Sequence, residues 1–376
     1  MRKSLIITLI NKNNYGNRLQ NFALQTFLKN NGFNVETIKY DLEYIDERVK
    51  NSLVKKMGNF LSLSMKDKIK SLFDKASYIL NKKKLTFIYK KRDNNFAKFN
   101  EKFIFTCPYT IKTDDDLTKL RDYDYIFIGS DQVWNPHYIF NSKLFLLDFF
   151  TKAKLISFSA SYGIDEISEL LSNDYRQMLM KLDKISVREA SAKKITEKLI
   201  TKKSIVLLDP TMLVEEKEWI ELSKFSTNDY STKRYAVCYF LGSLSRKKQN
   251  EIKKFSKNKN LELIWIRSNK HLENFDMDPS DFLNSFHNAE FILTDSFHGT
   301  IFSILFRKQF ITYDKEGSYS LFSRISTLLN KFNLNDRKYE KTENLTQLSE
   351  INFDHIGNIL KQERIKAAEF LSTALI

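Results

Sequence analysis

Short apolar runs alternate with stretches of helical period along most of the chain, and this rhythm limits the fold more than any other feature. Residues 5–10 form an apolar run. After a turn-rich loop, Leu19, Phe22, Ala23, Thr26 and Phe27 recur at helical spacing, Gly32 stands where that helix closes, and 35–40 reads as the next strand. The same alternation predicts strands at 125–129, 155–161, 184–187 and 205–208, with helices at 167–182 and 189–199. It restarts with strands at 235–241, 261–266, 291–294 and 310–313, and with helices at 246–257, 280–289 (Ser280 as N-cap) and 298–306. Apolar strands separated by helices belong in parallel sheets covered on both faces. At 376 residues, two such domains are expected: 1–225 and 226–376, divided at the polar, unpatterned stretch 226–233. A last helix over 351–375 is placed to fold back across the junction.

The formal net charge is +15, and it is concentrated. Between Arg48 and Arg92 stand twelve Lys and two Arg against Asp67 and Asp74, an excess of 14 − 2 = +12. This marks a basic helical insertion at about 48–95, where Leu61, Met65, Ile69, Leu72, Phe73, Ala76 and Leu80 share one helical stripe. Two readings fit it: a helix packed on its own domain with lysines in water, or a peripheral contact with an anionic membrane surface. A basic patch confined to one segment, without a known binding motif, does not argue for nucleic acid. The run at 5–10 is too short to span a bilayer and has no small-residue cleavage site, so it reads as a strand rather than a signal peptide. Cys107 and Cys238 fit no paired motif, and free thiols suit the cytoplasm. No cluster of ligands for a metal is expected.

In parallel α/β sheets ligands gather at the carboxyl ends of strands, and four polar clusters lie there. Tyr15, Gly16, Asn17, Arg18, Leu19 and Gln20 follow the first strand; glycine lets backbone approach a ligand, but the spacing is not a dinucleotide fingerprint. Gly129, Ser130, Asp131, Gln132, Val133, Trp134 and Asn135 combine a carboxylate with an aromatic face suited to a sugar ring. In Ser186, Val187, Arg188 and Glu189, a guanidinium leaves a short strand, ready to fork a carboxylate or phosphate or to form an ordinary salt bridge. The most informative cluster runs Thr294, Asp295, Ser296, Phe297, His298, Gly299, Thr300: a buried strand hands over to a histidine at a helix N-terminus, where anions are stabilised. His298 is there a candidate proton donor or acceptor, unlike His287 in mid-helix.

Taken in order, with Leu208, Asp209, Pro210 and Thr211 added, these stretches resemble the polysaccharide pyruvyl transferase family from about Ile6 to Leu334. The resemblance implies two Rossmann-like α/β domains in a GT-B-like arrangement with an interdomain cleft, the first domain on the acceptor side and the second on the donor side. It implies phosphoenolpyruvate as co-substrate and no separate cofactor. The acceptor would be a sugar hydroxyl pair of a surface or capsular polysaccharide, or of its lipid-linked precursor, and the product a pyruvate ketal. Carried over residue by residue, the matching positions are Arg188 and His298; with the strand-end reading added, His298 and Asp131 would be catalytic. Arg188, Ser296, Gly299 and Arg324 would bind the donor, and Gly16, Asn17, Gln20, Trp134 and Asn135 the acceptor. Some relatives carry an arginine where this chain has Ser296, and Arg324 is the candidate replacement. Two other functions compete: a GT-B glycosyltransferase using a nucleotide-sugar, and a non-catalytic scaffold at the membrane. The first lacks a clear acidic ribose ligand in the second domain, and the second leaves the strand-end polar clusters without a purpose.

Overall fold

The computed structural model describes residues 2–10, 13–45, 85–139, 142–230, 232–266, 272–314, 322–339 and 348–374. The amphipathic stripe from Leu61 to Leu80 lies outside them. The chain opens with β1 (Arg2–Ile7), α1 (Tyr15–Asn30) and β2 (Phe33–Thr37). Helix α1 begins because the Asn14 side chain accepts from the backbone N–H of Asn17, and it ends before Gly32, whose φ of +85° is costly for other residues. Then come α2 (85–103), β3 (Tyr125–Asp131), β4 (Lys154–Ala160), α3 (Glu169–Lys181), β5 (Lys184–Val187), α4 (Ala190–Leu199), β6 (Ile205–Val206) and α5 (Glu216–Ser223). The second half holds β7 (Tyr235–Tyr239), α6 (Arg246–Lys259), β8 (Glu262–Ile266), α7 (Pro279–Asn288), β9 (Phe291–Thr294), α8 (Phe297–Leu305), β10 (Gln309–Thr312), α9 (Phe322–Lys331) and α10 (Phe353–Thr373).

All pairings in the two sheets are parallel. The strand orders are β2-β1-β3-β4-β5-β6 and β10-β9-β7-β8. These are two Rossmann-like α/β units in a GT-B-like arrangement. Each sheet reverses its winding once, between β1 and β3 in the first and between β7 and β9 in the second, and such switch points open a crevice at the strand ends.

Several boundaries differ from the sequence expectation. The first strand stops at Ile7, its last pairing being with Ile128, and residues 8–10 peel away so that the Ile10 N–H donates to the Tyr40 hydroxyl at 2.7 Å. The second strand accordingly ends at Thr37 rather than residue 40. Ser280 does not cap its helix. Asp278 does, with Asp281 answering in a reciprocal capping box and Pro279 in the first turn, where its missing N–H costs nothing.

The two units share one apolar core. Tyr15 of α1 stacks on Phe282 of α7 at 4.6 Å between ring centroids, and its hydroxyl donates to the Met277 carbonyl at 3.0 Å. Arg92 of α2 is almost wholly buried at this seam; it donates to the Tyr15 hydroxyl at 2.8 Å and to the carbonyls of Asn13 and Phe275. Helix α10 returns to the first unit: Arg364 donates to the carbonyls of Met212 and Val214, Lys366 to that of Val206, and Phe370 meets Phe158 at 6.1 Å. Among the described residues no helix is long and apolar enough to cross a membrane.

Replacing Arg92 leaves the Phe275 carbonyl unpaired at a dry seam and opens a void against three aromatic rings. Arg92→Ala should cost about 2–4 kcal/mol in denaturant unfolding, and a loss under about 0.5 kcal/mol would mean that Arg92 is not a pin between the units.

Candidate functional site

The two switch points face one polar cluster. Strand β5 ends at Val187 and delivers Arg188, about 4% exposed, into a nest of acids. Its Nη1 donates to Asp209 Oδ2 at 2.8 Å, Nη2 lies 3.5 Å from Asp131 Oδ1, and Nε lies 3.7 Å from Glu189 Oε2. Each acid is itself held. The other oxygen of Asp209 accepts from the Thr211 N–H at 3.1 Å and hydroxyl at 2.8 Å. Asp131 accepts from Asn17 Nδ2 at 3.0 Å, and Glu189 from the Ser161 hydroxyl at 2.7 Å. Arg18 lies behind Asn17, donating to its side-chain oxygen and to the Leu9 carbonyl. Asp131 stands at φ +66° and Ser159 at +49°, left-handed conformations uncommon outside glycine; such departures gather at functional sites.

The second unit contributes His298. Strand β9 ends at Thr294, Ser296 caps α8 by accepting from the Gly299 N–H at 3.3 Å, and His298 emerges in the first turn. Its Nε2 lies 3.6 Å from Asp209 Oδ2, the oxygen that also takes Arg188, at ion-pair rather than hydrogen-bond range. The ring rests on the backbone of α1: a Cβ on Gly16 would come within 2.0 Å of His298 Nδ1, so only glycine lets the two helix starts approach. Gly299 is required likewise, since its Cβ would meet Thr294 Oγ1 at 2.4 Å. Asp295 accepts from the N–H groups of Leu241 and Gly242 and ties the end of β7 to β9.

Burial works against the charges of Asp209, Asp131 and Arg188, and in each case the partners outweigh it. Burial raises the carboxyl of Asp209, but His298 and Arg188 hold it far below the ordinary aspartate value. Asp131 behaves alike: burial raises it, and Arg188, His298, Asn17 and Arg324 bring it below normal. Burial lowers Arg188, and Asp209, Asp131 and Glu189 more than restore it. Both aspartates are thus carboxylates at neutral pH.

The structure brings Gly16, Asn17, Asp131, Arg188 and His298 together, and sets Arg324 beside Phe297 next to His298, 5.7 Å from guanidinium carbon to ring centroid. Gln20 lies beneath, donating to Thr8 Oγ1, whose hydroxyl reaches the Ser130 carbonyl. Three expected ligand contacts take other roles. Trp134 offers no face to a sugar: it is fully buried in the core, 5.1 Å from Tyr162 between centroids. Asn135 spends its side chain on Gln132 and on the His137 N–H, shaping the turn after β3. Ser296 spends its hydroxyl on the helix cap.

Asp209 and Phe297 were not singled out as site residues from sequence. Asp209 carries the signal used for Asp131, an acid directly after a strand, but Asp-Pro also reads as a strand stop. Phe297 adjoins His298, and the Arg188 guanidinium lies 4.7 Å over its ring.

The fold and this cluster define a two-unit, GT-B-like α/β protein with a charged site shared between its units. Its family follows from the sequence: the model described as polysaccharide pyruvyl transferase matches residues 14–314, and the chain belongs to that family. No curated protein matches the chain. Among solved structures it is similar to the UDP-GlcNAc 2-epimerase of Neisseria meningitidis bound to UDP-GlcNAc, at 11% identity and TM-score 0.45, covering 96% of this chain and 98% of that one. A putative UDP-N-acetylglucosamine 2-epimerase of Listeria monocytogenes is similar at 9% identity and TM-score 0.47, covering 98% and 91%. An alpha-glucosyltransferase in complex with UDP is similar at 10% and 0.44, covering 99% and 95%. At such scores these likenesses say nothing of activity.

Because the folded-state values of Asp131 and Asp209 are depressed, their contribution to stability is present above the ordinary aspartate value of 3.8 and is lost as pH falls below it. Unfolding free energy should therefore fall steeply below about pH 4. Asp209→Asn should flatten that slope and cost about 3–5 kcal/mol at pH 7 by stripping a buried guanidinium of its nearest partner; an unchanged pH profile would remove Asp209 from this account.

Proposed function

We propose that this chain moves the pyruvyl group of phosphoenolpyruvate onto two hydroxyls of a sugar, forming a ketal on a polysaccharide or its lipid-linked precursor. The observation that carries the reading is the convergence of Arg188 and His298, from different sheets, on one oxygen of Asp209. A small acidic donor needs a cation and a proton source at one point, and few other arrangements supply both.

In this reading a proton passes to the methylene carbon of the donor, which becomes a methyl group, and the adjacent C2 becomes electrophilic. One sugar hydroxyl bonds to C2 and loses its proton, and the C2–O bond to phosphate breaks, releasing inorganic phosphate. A second hydroxyl then bonds to C2 and gives up its proton, which leaves with the phosphate, closing the ketal, while the first hydroxyl's proton restores the proton donor. His298 is the group to deliver the proton, with Asp209 positioning the ring. The Nε and Nη2 groups of Arg188 make no hydrogen bond, lying only at ion-pair range of Glu189 and Asp131, and are the groups to take the donor carboxylate. Asp131, held as a carboxylate, accepts from the attacking hydroxyl.

The test is release of phosphate from phosphoenolpyruvate on addition of free or lipid-linked glycosides, with no nucleotide-sugar present, and a new methyl signal in the product. His298→Ala should lower that rate by about 10²–10⁴-fold while the unfolding midpoint holds. Gly16→Ala, which displaces the same ring, should reduce kcat more than donor affinity. Phosphate release by His298→Ala at the wild-type rate removes His298 from the chemistry.

A further inference from the structure

Five arginines among the described residues are buried, and four of them have partners. Arg18 donates to Asn17 and Leu9, Arg92 to Tyr15, Asn13 and Phe275, Arg188 to Asp209, and Arg337 to Gln309 and Ser349. Arg324, in the first turn of α9, is about 6% exposed, its Nε is buried without a hydrogen bond, and it makes no hydrogen bond or ion pair with any described residue. A guanidinium removed from water without a partner is unfavourable, and folding does not retain it for stability.

Its position says what it awaits. Arg324 and Arg188 both lie against the Phe297 ring, at 5.7 and 4.7 Å, so its charge stands beside the residue that precedes His298. The two cations differ in what surrounds them. Arg188 has carboxylates at 2.8, 3.5 and 3.7 Å, which offset its charge and disfavour a dianion more than a single carboxylate. Arg324 has none in contact; burial and then Arg188 push its ionisation down to about 10, and Glu189, Asp131 and Tyr138 restore only part. A phosphoryl dianion placed beside it would relieve both burial and cation–cation repulsion, and the planar fork suits phosphate oxygens.

We propose that Arg324 is the receptor for the donor's phosphoryl group and so a specificity-determining residue of this site, a refinement that takes the donor's identity from the function proposed above. The carboxylate then falls to Arg188, and the bond that breaks lies between the two guanidiniums, beside His298. Requiring both anionic groups is what excludes pyruvate as a ligand of comparable affinity.

Calorimetric titration of the full chain with inorganic phosphate, phosphoenolpyruvate and pyruvate, each against wild type, Arg324→Gln and Arg324→Lys, tests this. Arg324→Gln should weaken phosphate and phosphoenolpyruvate by about 10- to 100-fold, with pyruvate shifted by less than about threefold, within the usual scatter of such comparisons. Arg324→Lys should recover part of the loss through charge without the fork. The ligand-free Arg324→Gln protein should melt at or above the wild-type temperature, because an unpaired buried charge is gone. Wild-type affinity for phosphate in Arg324→Gln overturns the proposal, even where wild type binds phosphoenolpyruvate and the donor assignment stands. A lower melting point with no recovery in Arg324→Lys also overturns it, by making Arg324 structural. Arg324-dependent binding of phosphate with no binding of phosphoenolpyruvate leaves the receptor standing and removes the donor.

Discussion

The structure turns on one buried ion pair, Arg188 with Asp209. Neither side chain reaches water, and a guanidinium can be held there only where acceptors meet it in a planar fork. That requirement draws three strand ends to one point: β5 supplies the arginine, the loop after β6 supplies Asp209, and β3 supplies Asp131. Thr211 then fixes the second oxygen of Asp209, while the first, which takes Arg188 and the Ser130 hydroxyl, presents an edge to the other unit. His298 meets that edge. A site divided between two sheets thus has a single reference atom.

Such a site tolerates little relative movement of its halves, since misplacing reacting groups by about 1 Å forfeits much of the advantage of proximity. The seam is built accordingly. The Tyr15–Phe282 stack, the Arg92 pin and the return of α10 over the first sheet join the units through apolar contact and hydrogen bonds rather than through a flexible hinge. Gly16 belongs to the same logic: α1 gives up a side chain at its second residue so that the imidazole can rest on its backbone.

Much of this could be read from the chain. Buried parallel strands are nearly continuous apolar runs, so the elements were legible, and polar residues just beyond them marked Asp131, Arg188 and His298. Strand limits were harder because residues 8–10 are apolar too, yet they leave the sheet to reach Tyr40. Trp134 departs from the sequence expectation for a physical reason: an aromatic after a strand looks the same whether it faces a ligand or the core, and only Tyr162 and Tyr175 packing beneath the turn decides it. Asp209 stayed hidden because Asp-Pro signals a turn by the same chemistry that lets the aspartate cap residue 211. The stripe from Leu61 to Leu80 lies beyond the described residues.

The acids of the cluster hold its cations together, which the proposed anion site requires. Cations gathered in a low-dielectric space repel one another, and Arg18, Arg188 and Arg324 would drive the strand ends apart if left alone. Asp131, Glu189 and Asp209 equal the three arginines in number, so their formal charges cancel. The balance is deliberately uneven in space: all three carboxylates crowd Arg188, and Arg324 is left with none in contact. Neutrality in sum holds the fold together, while the local imbalance leaves Arg324 without a hydrogen bond among the described residues, the charge that the proposed phosphoryl contact would meet.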